Sequence, residues 1–169
     1  MEEVSGKDLS QFERTWYNQA GTPTLSVTDE YDAKTQTYTL KVRQSTPATP
    51  NQPAKDPFHI PLRVGLLDAA GNDMALTLAS PPGALTAGDV LNVTQNEQAF
   101  VFTGVKKKPT PSLLRNFSAP VKVDYDYSRE QLAFLMQHDG DGFNRWEAGQ
   151  KLALAVLQDM TGQYKSGKP

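Results

Sequence analysis

The sequence predicts a mainly β fold: an antiparallel β-sandwich of seven or eight strands, flanked by one N-terminal helix and a C-terminal helical hairpin. Three observations predict it. Apolar residues recur at helical spacing up to Gly21, with period two from about Thr24 to Tyr127, and at helical spacing again from Ser128 onward. Glycine and proline punctuate the middle stretch, and no helical pattern interrupts it. The 169 residues are 38% apolar, enough for a real core, and include no cysteine, so burial rather than a disulfide framework must hold the sheets together.

The first helix is read over residues 5–21. Ser5 and Asp8 offer a capping pair, Leu9, Phe12 and Trp16 share one face with Tyr17 beside them, and Gly21 terminates the helix before Pro23. A helix this short is marginal in water, so its apolar stripe needs a partner surface, either the following sheet or a further domain. Leu25, Val27 and Tyr31 then alternate, residues 32–36 turn the chain, and Tyr38, Leu40 and Val42 alternate on the way back, which makes a hairpin. The clearest strand carries Phe58, Ile60, Leu62, Val64 and Leu66 on one face and stops at the turn of residues 68–72, while Pro61 within it suggests an edge position or an irregularity. Further short strands are read at Met74–Leu78, Leu91–Val93, Phe100–Phe102, from Leu113 to Phe117, and from Val121 to Tyr127. The strand count points to an immunoglobulin-like arrangement, although the disulfide and core tryptophan of that fold are absent.

From Ser128 the spacing is helical again. Ser128 with Gln131 forms a capping box ahead of Leu132, Leu135 and Met136, and residues 139–142 break that helix before a second one. The second helix carries Trp146, Gly149, Ala153, Val156 and Met160 on one stripe, widened by Leu152, Leu154 and Leu157. So much apolar surface on two helices suits the first hairpin of a longer helical array. Residues 165–169 are read as a frayed end.

Composition narrows the function classes. His59 and His138 are the only histidines, so the chain cannot form an His-Glu-x-x-His helix, a zinc ribbon or a thiol site. Carboxylate-only metal binding and hydroxyl chemistry have no recognisable spacing here. A net charge of −2, from 17 basic and 19 acidic residues, supplies no general attraction for nucleic acid or an anionic membrane, and neither is expected as a partner. The Met-Glu-Glu start lacks a secretory pattern, and no apolar run approaches the roughly 20 residues that span a bilayer, so the expectation is of a chain neither exported nor anchored. A cysteine-free composition suits a reducing cytoplasm.

Several local features invite a functional reading, and each has a plainer one. Asp139-Gly140-Asp141-Gly142 looks like the start of a calcium loop, but the spacing puts Phe143 and Gln150 where oxygen ligands are needed, so a helix break is preferred. His59 lies opposite the apolar stripe of its strand and is read as a surface or interface residue, and His138 as a helix C-terminal residue facing the dipole. Lys106, Lys107 and Lys108 lack interleaved aromatics and read as a solvated loop. Asn92-Val93-Thr94 and Asn116-Phe117-Ser118 match the glycosylation sequon by chance. Asp124 and Asp126 share the solvent face of a strand without a cleft signature. Trp16, Trp146, Tyr125 and Tyr127 could form a sugar-stacking platform, but packing against neighbouring domains accounts for them. No position is assigned a catalytic, cofactor-binding or metal-binding role.

Longer strings carry a resemblance. Ser5-Gly6-Lys7-Asp8-Leu9-Ser10-Gln11-Phe12 with Trp16-Tyr17 and Gly21-Thr22-Pro23, Phe58-His59-Ile60-Pro61, Val90-Leu91-Asn92-Val93-Thr94-Gln95, the run from Ser112 to Lys122, and Phe143-Asn144-Arg145-Trp146-Glu147-Ala148 resemble, in order, successive segments of the bacterial aminopeptidase N family, the alanyl aminopeptidases of the gluzincin class. The resemblance implies a fragment of a four-domain zinc exopeptidase. On that comparison residues 1–21 are the last helix of a catalytic domain, 22–127 an immunoglobulin-like sandwich, and 128–169 the start of a helical superhelix. The family's zinc ligands, general-base glutamate, Gly-Ala-Met-Glu-Asn motif and transition-state tyrosine match no position here, so zinc belongs to the implied parent alone. The implied partners are the catalytic and helical domains of the same polypeptide, with peptide substrate bound only by the whole. The expected role is that of a rigid, non-catalytic spacer. The rival reading is a free-standing sandwich that binds a carbohydrate or protein, and a hydrolase using this chain's own hydroxyls and carboxylates lacks any motif.

Overall fold

The computed structural model describes Gly6 and residues 8–167. Helix α1, Ser10–Asn18, precedes nine strands: β1 Thr24–Asp32, β2 Thr37–Ser45, β3 Ile60–Leu67, β4 Leu78–Ser80, β5 Leu85–Thr86, β6 Val90–Val93, β7 Glu97–Phe102, β8 Thr110–Leu113 and β9 Lys122–Asp124. A 3-10 turn, Arg115–Phe117, separates β8 from β9, and helices α2, Arg129–His138, and α3, Gly142–Lys165, follow.

The strands form two sheets, one in the order β4-β7-β2-β1-β9 and the other β5-β6-β3-β8. This is the sandwich the periodicity predicts. Two details go beyond it: the described residues form nine strands rather than seven or eight, because β4 and β5 are only three and two residues long, and β9 runs parallel to β1, pairing Thr24 with Lys122 and Ser26 with Asp124. The remaining pairings are antiparallel, and the β1–β2 hairpin sets Val27 against Val42 and Tyr31 against Tyr38. The inward residues of both sheets close one core, in which Leu25, Tyr38, Leu40, Phe100 and Phe102 face Phe58, Ile60, Leu62, Leu66 and Leu91, all fully buried.

Strand β3 explains its own proline. It pairs with β6 over residues 60–63 and with β8 only from Val64 onward. On the side where Arg63 donates its N–H to Ser118 Oγ at 2.9 Å, no strand lies beside Pro61, and the missing donor costs nothing. Although β3 is internal to its sheet, Pro61 occupies a local edge. Burial along β3 alternates at first and becomes continuous from Val64, because Arg115 covers Gly65 and the helices cover Leu67 on its outer face. There Leu67 joins Leu132, Leu135 and Ala148 in a small second core.

Helix α1 is shorter than the pattern predicted, with Leu9 at its N-cap and Gln19 at its C-cap. Ser5 lies outside the described residues; Asp8 Oδ1 accepts the Ser10 N–H at 2.9 Å. The stripe docks on the chain's own sandwich: Trp16 packs edge-on against Phe58 with ring centres 4.8 Å apart and donates Nε1–H to the His59 carbonyl at 2.8 Å. Gln11 Nε2 adds bonds to the carbonyls of Pro57 and Thr94.

The predicted capping box of α2 is present, with Ser128 Oγ accepting the Gln131 N–H and Gln131 Oε1 accepting the Ser128 N–H. Helix α3 continues to Lys165 with its C-terminal turn bonded through Ser166, beyond where fraying was expected to begin; Lys168 and Pro169 lie outside the described residues. Helices α2 and α3 pack as a hairpin, close enough at Gly149 that a Cβ there would sit 3.2 Å from Met136 Sδ. Among the described residues no helix is long and apolar enough to cross a membrane.

Candidate functional site at the junction of sandwich and helices

The densest set of buried polar side chains lies where the end of β8 meets the link between α2 and α3. Arg115 is its centre. The strand expected to run on to Phe117 stops at Leu113, and Leu114, Asn116 and Phe117 all adopt positive φ, at 60°, 54° and 47°. Such angles cost a leucine or phenylalanine of order 1–2 kcal/mol each, and persist only where surrounding contacts over-determine them. Here the contacts are those of the turned-in arginine and the flanking asparagine.

The Arg115 guanidinium makes a two-pronged pair with Asp73, Nη1 to Oδ2 at 2.9 Å and Nη2 to Oδ1 at 2.7 Å. Its Nε–H goes to Ser112 Oγ at 2.9 Å, and Nη2 also reaches Asp139 Oδ1 at 2.9 Å. Gly65 forms the seat: a Cβ at that position would stand 2.2 Å from the guanidinium carbon. Burial opposes the charge of Arg115, but hydrogen bonds to Asp73 and the charges of Asp139 and Asp73 outweigh it and raise its pKa further. The Asp139 side chain is fully buried, whereas that of Asp73 is 54% exposed.

Neighbouring bonds extend the junction. Asn144 Nδ2 donates to Ser112 Oγ at 2.8 Å and to the Leu113 carbonyl at 2.9 Å, tying the first turn of α3 to β8. Asp141 caps α3 by accepting the Asn144 N–H at 2.8 Å through Oδ1 and takes the Asn116 N–H at 3.0 Å through Oδ2. Asp139-Gly140-Asp141-Gly142 is thus a helix break whose two carboxylates are engaged by Arg115 and by backbone N–H groups. Beside this node lies a groove of about 300 Å³ with an apolar floor that includes Leu114, Val121 and Leu132, and with Lys122 and Lys151 at its margin. Phe117, Phe143 and Trp146 line up next to it with ring centres 5.8 and 5.9 Å apart, and Trp146 is 60% exposed.

The other singled-out residues lie apart from this node or at its margin. His59 sits in the α1 contact, its Nε2 3.0 Å from Asn92 Oδ1 and its ring edge-on to Phe12. His138 ends α2, stacked on Phe134 and packed over Gly71. Lys108 pairs with Asp29 at 3.0 Å, and Tyr125 donates its hydroxyl to the same carboxylate at 2.8 Å. Tyr127 donates to the Pro111 carbonyl at 2.9 Å, and burial raises the phenol pKa of Tyr38, Tyr125 and Tyr127. Asn92 is engaged by Thr86 and Ala84, while Asn116 belongs to the junction turn. Asp124 and Asp126 are exposed. Trp16 is used by packing, so the four aromatic residues do not form one platform. Arg115, Asp73 and Ser112 were not read from the sequence as a site; the only signal was that Ser112 and Arg115 fall in the long string that carries the family resemblance.

Residues 21–126 match the family described as "Domain of unknown function (DUF3458) Ig-like fold". The chain belongs to that family. Residues 129–169 match a companion family, DUF3458_C, described as ARM repeats. The chain is 45% identical to "Aminopeptidase N" of Escherichia coli (strain K12) over 169 residues, all of this chain and 19% of the relative. It is 46% identical over 168 residues to "Aminopeptidase N" of Haemophilus influenzae, again 19% of that protein. Among solved structures it is similar to Legionella pneumophila aminopeptidase A in complex with aspartic acid, with 36% identity and a TM-score of 0.74 over 95% of this chain and 16% of that one. The resemblance to bacterial aminopeptidase N therefore runs the length of this DUF3458 chain, which spans about a fifth of the relatives it matches.

The family resemblance implies zinc. Among the described residues no three histidine, aspartate or glutamate side chains come together so as to hold a metal ion, and at the junction Arg115 takes both carboxylate oxygens of Asp73 and Oδ1 of Asp139. The described residues therefore offer no set of ligands that fits that ion.

Proposed function

We propose that the chain is the non-catalytic sandwich-and-helix portion of a zinc-dependent aminopeptidase that removes N-terminal residues from peptides. Residues 1–21 would end the catalytic domain, 22–127 form the spacer and 128–169 begin the helical array. Its work is mechanical: it fixes the array relative to the catalytic domain and so restricts access to the zinc site, whose ligands come from elsewhere in the polypeptide. The observation that carries this reading is the junction, because a fully buried carboxylate on an arginine seated in the sandwich gives the helices one defined docking point on it. Two facts support it: the chain is about a fifth of its relatives, and α3 leaves Leu154, Leu157 and Met160 more than half exposed, as the first unit of a stacked array would. The partners are then the remaining domains of the same polypeptide, the substrate a peptide bound only by the whole, and the compartment the cytoplasm.

A free-standing binding module is the second reading, favoured by the groove beside the junction. The test is hydrolysis of alanyl- and leucyl-p-nitroanilide, with zinc content, for the purified chain alone and mixed with the preceding catalytic portion of the parent. No turnover or stoichiometric zinc alone, with stability or rate gained on mixing, is the expected result. Turnover by the chain alone overturns the assignment, and a saturable ligand with no effect of mixing favours the module.

A further inference from the structure

The Arg115 node is lopsided in a way that has mechanical meaning. Three of the guanidinium's four hydrogen bonds, those to Asp73 Oδ1, Asp73 Oδ2 and Ser112 Oγ, go to residues of the sandwich, and its seat, Gly65, is on β3. Only Asp139 comes from the helices. Without the helices the arginine keeps a charge partner and three bonds. Asp139 keeps only the Asp141 N–H, at 3.0 Å, from its own link: its side chain is fully buried, and Arg115 is the one cation bonded to it among the described residues. A buried carboxylate stripped of its partner is strongly destabilised, whereas a guanidinium with a half-exposed carboxylate is not.

The apolar contacts have the same asymmetry. The main core closes on sandwich residues, with no buried contribution from α2 or α3. Apolar contact between helices and sandwich is small: Leu67 joins Leu132, Leu135 and Ala148, Phe143 packs on the exposed Phe117, His138 covers Gly71, and the outer half of α3 is largely solvent-facing. Little apolar burial therefore competes with the polar node in deciding whether the hairpin stays seated.

We infer that Arg115 is a socket completed within the sandwich and Asp139 a plug carried on the α2–α3 link, so that the helical hairpin seats and unseats as a unit while the sandwich stays folded. Asp141 and Asn144 secure the seated plug from its far side, through the Asn116 N–H and through Ser112 and the Leu113 carbonyl. The device is a property of this chain by itself and does not rest on the peptidase reading.

The experiment is hydrogen exchange, resolved by segment, on the full chain and on its Asp139→Ala, Asp139→Asn and Arg115→Met variants. Exchange in residues 129–152 is expected to quicken at least about tenfold in each variant, and most in Arg115→Met, which leaves the buried carboxylate unpaired, while protection in β1, β2, β3 and β7 is unchanged. Arg115→Met combined with Asp139→Leu is expected to recover part of the helical protection, since an apolar pair of similar bulk replaces the ionic one. Parallel loss of protection in strands and helices, or failure of the single variants to fold, means one cooperative unit and overturns the inference. Unchanged helical exchange in both Asp139 variants overturns it as well.

Discussion

Arg115 occupies its place because position 65 has no side chain. Gly65→Ala puts a methyl group 2.2 Å from the guanidinium carbon, and the arginine, held by Asp73 and Asp139, has nowhere to retreat without releasing one of them. The expected cost is about 3 kcal/mol, the scale of breaking a buried ion pair, read from urea unfolding followed by the helical circular dichroism signal. Adding Arg115→Met to that variant should cost little more, because both substitutions remove the same interaction. A second residue-scale effect belongs to the phenols. Burial raises the pKa of Tyr38, Tyr125 and Tyr127 above the ordinary value of about 10, so the unfolded chain loses those protons first. Stability from these groups is therefore complete below about pH 10 and declines above it. In a base titration the part of the phenolate absorbance that is missing from Tyr38→Phe, Tyr125→Phe and Tyr127→Phe variants should rise only together with loss of the circular dichroism of the fold; its appearance with the fold intact would refute this. None of this was legible residue by residue: a lone arginine and a lone glycine fifty positions apart carry no pattern, and their meeting is a product of strand pairing.

At the scale of elements the sequence was most informative where order is local. The hairpin of β1 and β2, the apolar face of β3 and the capping box at Ser128 are written in spacings of two to four residues, and all are present. Ser128→Ala removes the acceptor for the Gln131 N–H and should lower stability by about 1 kcal/mol, measured by denaturant midpoint, with the effect confined to α2 in segment-resolved exchange. Where the sequence misled, long-range contacts had overruled propensity. Leu114 and Phe117 are ordinary strand residues, yet tertiary bonds turn them to positive φ; Pro61 looked like an edge and has one only because β8 begins further along. The apolar stripe of helix α1 does not by itself name its partner surface, and the bond from Trp16 to the His59 carbonyl places it on the sandwich.

Over the whole molecule, fold class was legible because alternation over a hundred residues leaves few architectures, while the candidate site at the junction was not, since it is assembled from β3, the 68–73 loop, β8 with the turn after it, and the helix link. The pairing of β9 with β1 has a further consequence. The chain enters the sandwich at the start of β1 and leaves it at the end of β9, and these two strands lie side by side and parallel, with Lys122 N–H bonded to the Pro23 carbonyl. Tension between whatever precedes the sandwich and whatever follows it would pull these strands along their lengths in opposite directions. The rungs between them would then be loaded together rather than opened one after another, as they would be if the strands were peeled apart from one end. The sandwich is thereby wired as a short tie bar, with the load path crossing one edge of one sheet and leaving the rest of the β structure slack.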